Sequence, residues 1–115
     1  MNLEDIEFKA KVVQCILLND ASKALEFLAE YYDVNIPKLE IGLPKRRTRV
    51  AGCYDPVRKT IYVKDRDGLS NPYLILHEFY HHIRIVDGKH RGTEKLANKF
   101  AQSFLEAYST HATIV

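Results

Sequence analysis

His77 and His81 stand four residues apart, with Glu78 directly after the first, in the segment His77-Glu78-Phe79-Tyr80-His81. On a helix, residues four apart project from one face about one turn from each other, so both imidazoles can reach one metal ion. Glu78 then points roughly 100° round the helix and flanks the ion. Zinc lowers the pKa of a water it binds toward about 7 and polarises a carbonyl, while a flanking carboxylate takes the water's proton and returns it to a leaving amine. These residue types at this spacing point to Zn2+ as cofactor and to hydrolysis with Glu78 as general base and acid. At average composition such a segment arises by accident in roughly a few chains per thousand of this length. The bland alternative is a pair of partly buried histidines with ordinary hydrogen-bond partners.

A catalytic zinc takes three protein ligands and keeps one position open. Glu94 is the best third ligand: the twelve residues after His81 let the helix end, turn at Gly88 and return past the metal. A carboxylate stabilising a helix N-terminus is its plain alternative. Asn98, one turn further on, can orient a liganding histidine, or be a simple surface amide. His90 is the runner-up ligand, with less chain for the return. His82 must face away from the metal, and it, His90 and His111 each have a surface explanation. Arg84, on nearly the same face as the histidine pair, is assigned no role.

The elements that must hold these residues follow from periodicity. Leu3, Ile6, Ala10, Val13 and Leu17 recur at helical spacing and predict a helix over 3–18. Asp20 caps a second helix, with Ala21, Leu25, Leu28 and Tyr32 on one side, ended by Asn35 and Pro37. Alternation predicts strands over 38–43, 49–54 and 60–64, the last two joined by Asp55-Pro56-Val57-Arg58-Lys59 as a hairpin connection. Ser70-Asn71-Pro72 announces a helix running to about Val86, stopped by Asp87-Gly88. Leu74, Ile75, Leu76, Phe79, Ile83, Ile85 and Val86 make it apolar on most sides, as a central helix should be. A last helix restarts near Gly92-Thr93 and runs to about Tyr108, leaving 109–115 without pattern. No repeat, low-complexity tract or long linker divides the chain, so residues 1–115 are expected to form one domain.

Composition narrows the function classes. A chain of 115 residues that is 46% hydrophobic can bury a modest core without disulfides, and its two cysteines, Cys15 and Cys53, are expected to be reduced and mostly buried. No apolar run approaches the roughly 20 residues needed to span a bilayer, and acidic Glu4, Asp5 and Glu7 are unlike a signal peptide, so a cytoplasmic setting with no membrane partner is expected. A net charge of +2 is too small to suggest a nucleic-acid binder. The local cluster Lys45, Arg46, Arg47 and Arg49 nonetheless keeps open a non-catalytic module in which zinc is structural and this loop contacts nucleic acid or a partner.

Beyond the spacing itself, the chain resembles the zincin metallopeptidases, and among them the gluzincins. Gly92-Thr93-Glu94-Lys95-Leu96-Ala97-Asn98-Lys99-Phe100-Ala101 is similar to the glutamate helix of ImmA/IrrE-like peptidases and minigluzincins. Ala51-Gly52-Cys53-Tyr54-Asp55-Pro56 with Thr60-Ile61-Tyr62-Val63 is similar to the hairpin before the metal helix in SprT-like zincins. The likeness covers about half the chain, residues 49–105. Tyr80 departs from the glycine common before the second histidine of ImmA/IrrE-like proteins, and no helix-turn-helix accompanies the motif. The resemblance implies an α+β minimal zincin-like domain: two N-terminal helices, a short three-stranded twisted sheet, the metal helix and a C-terminal glutamate helix. It also implies His77, His81 and Glu94 as zinc ligands, Glu78 as general base, and an extended peptide or protein substrate paired to the rim strand. The expected function is a zinc-dependent endopeptidase. Tyr54, Tyr80, Tyr108 and His90 are all open as oxyanion stabilisers, and the tail 109–115, with His111 and the terminal carboxylate, is a possible autoinhibitory segment.

Overall fold

The computed structural model describes residues 2–45, 47, 49–86 and 88–114, without the side chains of Val86 and Ile114. Arg46 of the basic cluster, Asp87 of the expected helix stop and Val115 of the tail lie outside the described residues. The described residues form an α+β fold with five helices and a small three-stranded mixed sheet.

Helix α1 (Leu3–Leu17) starts where the Asn2 side chain accepts the backbone N–H of Asp5 at 2.8 Å, with Glu4 and Asp5 favourably placed in the first turn. Its buried face is Ala10, Val12, Val13 and Ile16. That face is rotated from the expected one, since Leu3 and Leu17 are 55% and 45% exposed. Helix α2 (Ala21–Tyr32) is capped by Asp20 and buries Ala21, Leu25 and Leu28 as their spacing requires. It ends before Asn35 and Pro37, at Asp33, whose left-handed backbone (φ 54°) turns the chain out of the helix.

Strands β1 (Lys38–Ile41), β2 (Gly52–Asp55) and β3 (Thr60–Val63) form the sheet in the order β1-β3-β2, with β1 parallel and β2 antiparallel to β3. All three are shorter than the alternation suggested. Central β3 is buried along its whole length, whereas Ile41 on the edge strand β1 is 48% exposed. The Asp55 carboxylate accepts the N–H groups of Val57 (2.9 Å) and Arg58 (3.2 Å) and so closes the expected β2–β3 hairpin. Helix α3 (Arg66–Leu69), a single turn capped by Asp65, was not foreseen.

Helix α4 (Pro72–Ile83) carries the histidine pair. The Asn71 side chain accepts the N–H of Leu74, and Pro72 occupies the first turn, where its missing donor costs nothing. It is the central helix, packed against α1, α2, α3 and α5 and against strands β2 and β3. Ile75, Leu76 and Phe79 are fully buried among Val12, Val13, Ile16, Leu25, Leu28, Ile61, Val63 and Phe104. Each such large apolar side chain contributes about 1.5–3 kcal/mol of burial.

Two corrections follow for the remaining elements. α4 stops at Ile83, not near Val86; Ile85–Val86 and Lys89–His90 instead form a two-stranded hairpin, β4 and β5. The last helix, α5 (Glu94–Ile114), continues past Tyr108 through the supposed tail. At about 1.5 Å per residue, His111 lies roughly 25 Å along the helix axis from Glu94. Held in α5, whose Tyr108 hydroxyl donates to Gln14 of α1 at 2.9 Å, residues 109–114 lead away from the histidine pair.

Candidate metal centre

Because α4 buries Ile75, Leu76, Phe79 and Tyr80, its His77–His81 seam is turned to the mouth of the core, with the two side chains 14% and 12% exposed. Their Nε2 atoms stand 3.4 Å apart. The Glu94 carboxylate, at the first turn of α5, meets both: Oε2 lies 2.7 Å from His77 Nε2 and Oε1 3.0 Å from His81 Nε2. Glu78 is buried beside them, its Oε2 4.0 Å from His77 Nε2. The four residues singled out from the sequence are therefore together.

The donor set suits a metal ion. His77, Glu78 and His81 offer ligand atoms that all lie within 4.8 Å of one another. Donors sharing a tetrahedral zinc at 2.0–2.1 Å are roughly 3.4 Å apart, the separation of the two Nε2 atoms. Glu94 sits closer than that, at 2.7 and 3.0 Å from the two Nε2 atoms, and its exposed carboxylate has room to draw back to make space for an ion. Burial, opposed by the charge of Glu94, holds the His81 pKa below its ordinary value and so keeps the imidazole in the neutral form that metals bind. Burial also pushes the Glu78 carboxyl up to about 7; His77 and Arg47 pull it down, and Glu94 adds to the rise.

The cluster floors a cavity of about 780 Å³ lined also by residues 50–54, Leu74, Ile85 and Arg47. Strand β2 is an edge of the sheet, with no second partner strand among the described residues, and its Gly52, Cys53 and Tyr54 line this cavity. Arg47 brings one cation of the basic cluster into the cleft.

The surrounding residues divide differently from the expectation. Asn98 touches neither histidine: its Oδ1 accepts the Tyr73 hydroxyl at 2.8 Å, and the Tyr73 ring stacks on His77 with centroids 6.3 Å apart. Tyr73 was missed, although it precedes His77 by one helical turn. His90 approaches the other ring nitrogen of His81, Nδ1, at 2.8 Å, away from the converging Nε2 atoms. His82 is not a surface residue but 7% exposed. Its Nε2 lies 2.7 Å from the Asn35 carbonyl, which can only accept, so Nδ1 accepts the Tyr54 hydroxyl at 2.6 Å. Tyr54 thus has its proton committed away from the metal cluster. The Tyr108 hydroxyl is spent on Gln14, and Tyr80 is buried under Gly92. Arg84 donates to the Arg91 carbonyl at 3.4 Å and ties the β4–β5 hairpin. Both cysteines are free, Cys53 buried and Cys15 half-buried.

No protein-family model, curated protein or solved structure matches the chain. What the site itself carries is a His77–Glu78–His81 group able to hold a metal ion, with Glu94 against both imidazoles.

Proposed function

We propose that this protein is a zinc-dependent endopeptidase of the gluzincin type, formed by residues 1–115 as one minimal zincin-like domain. The observation that carries the reading is the meeting of His77, His81 and Glu94 beside a buried carboxylate, at the floor of an open cavity flanked by an unpaired strand edge. His77, His81 and Glu94 would hold the ion. Zinc bound there supplies a Lewis acid that polarises a carbonyl and acidifies water.

The protein's own groups do the rest. The edge of β2 offers backbone donors and acceptors to an extended peptide, which lays its main chain across the cleft. Glu78 takes a proton from the attacking water and delivers it to the departing nitrogen. Its burial keeps bulk water from competing for that proton and leaves it a stronger base than an exposed carboxylate. Leu74, Val50 and Ile85 give the cavity apolar walls that exclude water from the bond under attack.

The test is Glu78→Gln. Purified protein should hold about one zinc per chain and cleave members of a mixed peptide library. The variant should retain the zinc and lose activity by about 10²–10⁴-fold. Equal cleavage by the two proteins would remove Glu78 from the mechanism.

A further inference from the structure

His81 is engaged at both ring nitrogens. Nε2 faces His77 and Glu94, whereas Nδ1 lies 2.8 Å from Nε2 of His90. We propose that His90 is the positioning residue of His81, holding its imidazole through Nδ1 so that Nε2 stays turned into the donor cluster. The inference rests on the reading of His77, His81 and Glu94 as metal ligands.

Between two imidazole nitrogens at this distance, one must carry a proton and the other a lone pair. A neutral ring that gives its Nε2 lone pair to a metal keeps its proton on Nδ1. With the ion bound, that N–H would donate to His90, whose Nε2 would accept. The bond therefore fixes the ring about its long axis, and His90, able to accept or donate, serves either tautomer of His81. The two nitrogens of one imidazole diverge, so a group bonded at Nδ1 acts on a metal only through the ring of His81. This separates His90 from Glu94, which stands on the Nε2 side.

The fold accounts for how an exposed histidine is held there. His90 is paired with Ile85 across the β4–β5 hairpin, and Arg91 N–H donates to the Arg84 carbonyl at 2.8 Å at the hairpin's base. Its ring stands edge-on to Tyr80, centroids 6.5 Å apart, and Tyr80 is buried. Packing alone gives no reason for an imidazole on a two-residue strand open to solvent. The hydrogen bond to His81 does. The strap formed by residues 84–86 and 88–94 thus grips His81 from both sides, with His90 at Nδ1 and Glu94 at Nε2.

The experiment compares His90→Phe, which keeps an aromatic ring beside Tyr80 but cannot accept a proton, with His90→Gln, whose amide oxygen can. Zinc affinity of the full-length chain is measured by competition with a chromophoric chelator. His90→Phe should bind zinc about 10- to 100-fold more weakly. His90→Gln should stay within about threefold of wild type, the hydrogen bond being kept. In the zinc-loaded protein the Nδ1–H resonance of His81 should be protected from solvent exchange in wild type and His90→Gln, and lost in His90→Phe. Melting of the metal-free forms checks that both variants fold; should His90→Phe fail, His90→Ala takes its place with the same expectation. Wild-type affinity and protection in the variant without an acceptor would overturn the proposal, as would equal weakening by Phe and Gln. A wild-type chain that binds no zinc would overturn the metal reading and this one together; zinc bound with no effect at residue 90 overturns this one alone.

Discussion

Asn98 is linked to the histidine pair through an intervening ring: its Oδ1 accepts the Tyr73 hydroxyl, and the Tyr73 ring lies against His77 with centroids 6.3 Å apart. Tyr73→Phe and Asn98→Ala remove the same hydrogen bond, and each should destabilise the metal-free chain by about 0.5–1.5 kcal/mol in urea unfolding. The double variant should cost little more than the costlier single one; additive losses would show that the two residues act separately. The contrast shows what spacing reveals. His77, Glu78 and His81 are legible because their relation is set by one helical turn, and Glu94 because the connector length lets the start of the next helix return to that face. The Tyr54–His82 contact, between positions 28 apart, and the His81–His90 contact depend on how a strand and a hairpin fold back on α4, and no local period encodes that return.

The strap between α4 and α5 holds His90 and leads into Glu94, and at Gly92 it passes close against the buried Tyr80. A Cβ there would lie 2.6 Å from Cε2 and the hydroxyl oxygen of the buried Tyr80. Gly92→Ala should cost about 1–3 kcal/mol through overpacking, and should weaken zinc binding because the shifted strap carries His90 and Glu94 with it. Chelator competition checks this: a destabilised variant with unchanged zinc affinity would show that the strap does not position the ligands. The N-terminal helices and the start of α4 were readable from apolar periods, joined at Asp20 and Asn71 by capping residues, and the three strands from alternation. The two-residue strands β4 and β5 and the single-turn α3 are too short to carry a period. The end of α5 was underestimated because 109–114 hold weak helix formers, yet no glycine or proline stops a helix already begun, and each added residue gains a hydrogen bond. Removing 109–115 should accordingly leave peptide cleavage unchanged; a clear rise would restore the autoinhibitory reading.

At the scale of the whole molecule, the buried titratable groups make stability depend on pH in opposing ways. His82 has its pKa lowered by burial, so its contribution is complete above about 6.5 and is lost as pH falls below that value. Tyr32 and Tyr54 are both raised by burial to about 12, so their contributions hold below pH 10 and fade as pH climbs from 10 toward 12. Glu78 acts against His82. Its carboxyl, raised to about 7 in the metal-free fold from 4.5, favours folding below pH 4.5 and loses that advantage as pH rises through 7. A chain that keeps this carboxylate buried beside His77 and His81 gives up stability at neutral pH. Glu78→Gln removes the burden without changing the shape of the side chain. In the presence of chelator, the variant should therefore be the more stable protein at pH 8, by on the order of a few kcal/mol. The advantage should shrink steadily as pH falls and vanish near pH 4, where wild-type Glu78 is protonated both folded and unfolded. Chemical denaturation across this range measures it, and a stability difference that does not change with pH would mean that Glu78 is solvated in the folded chain.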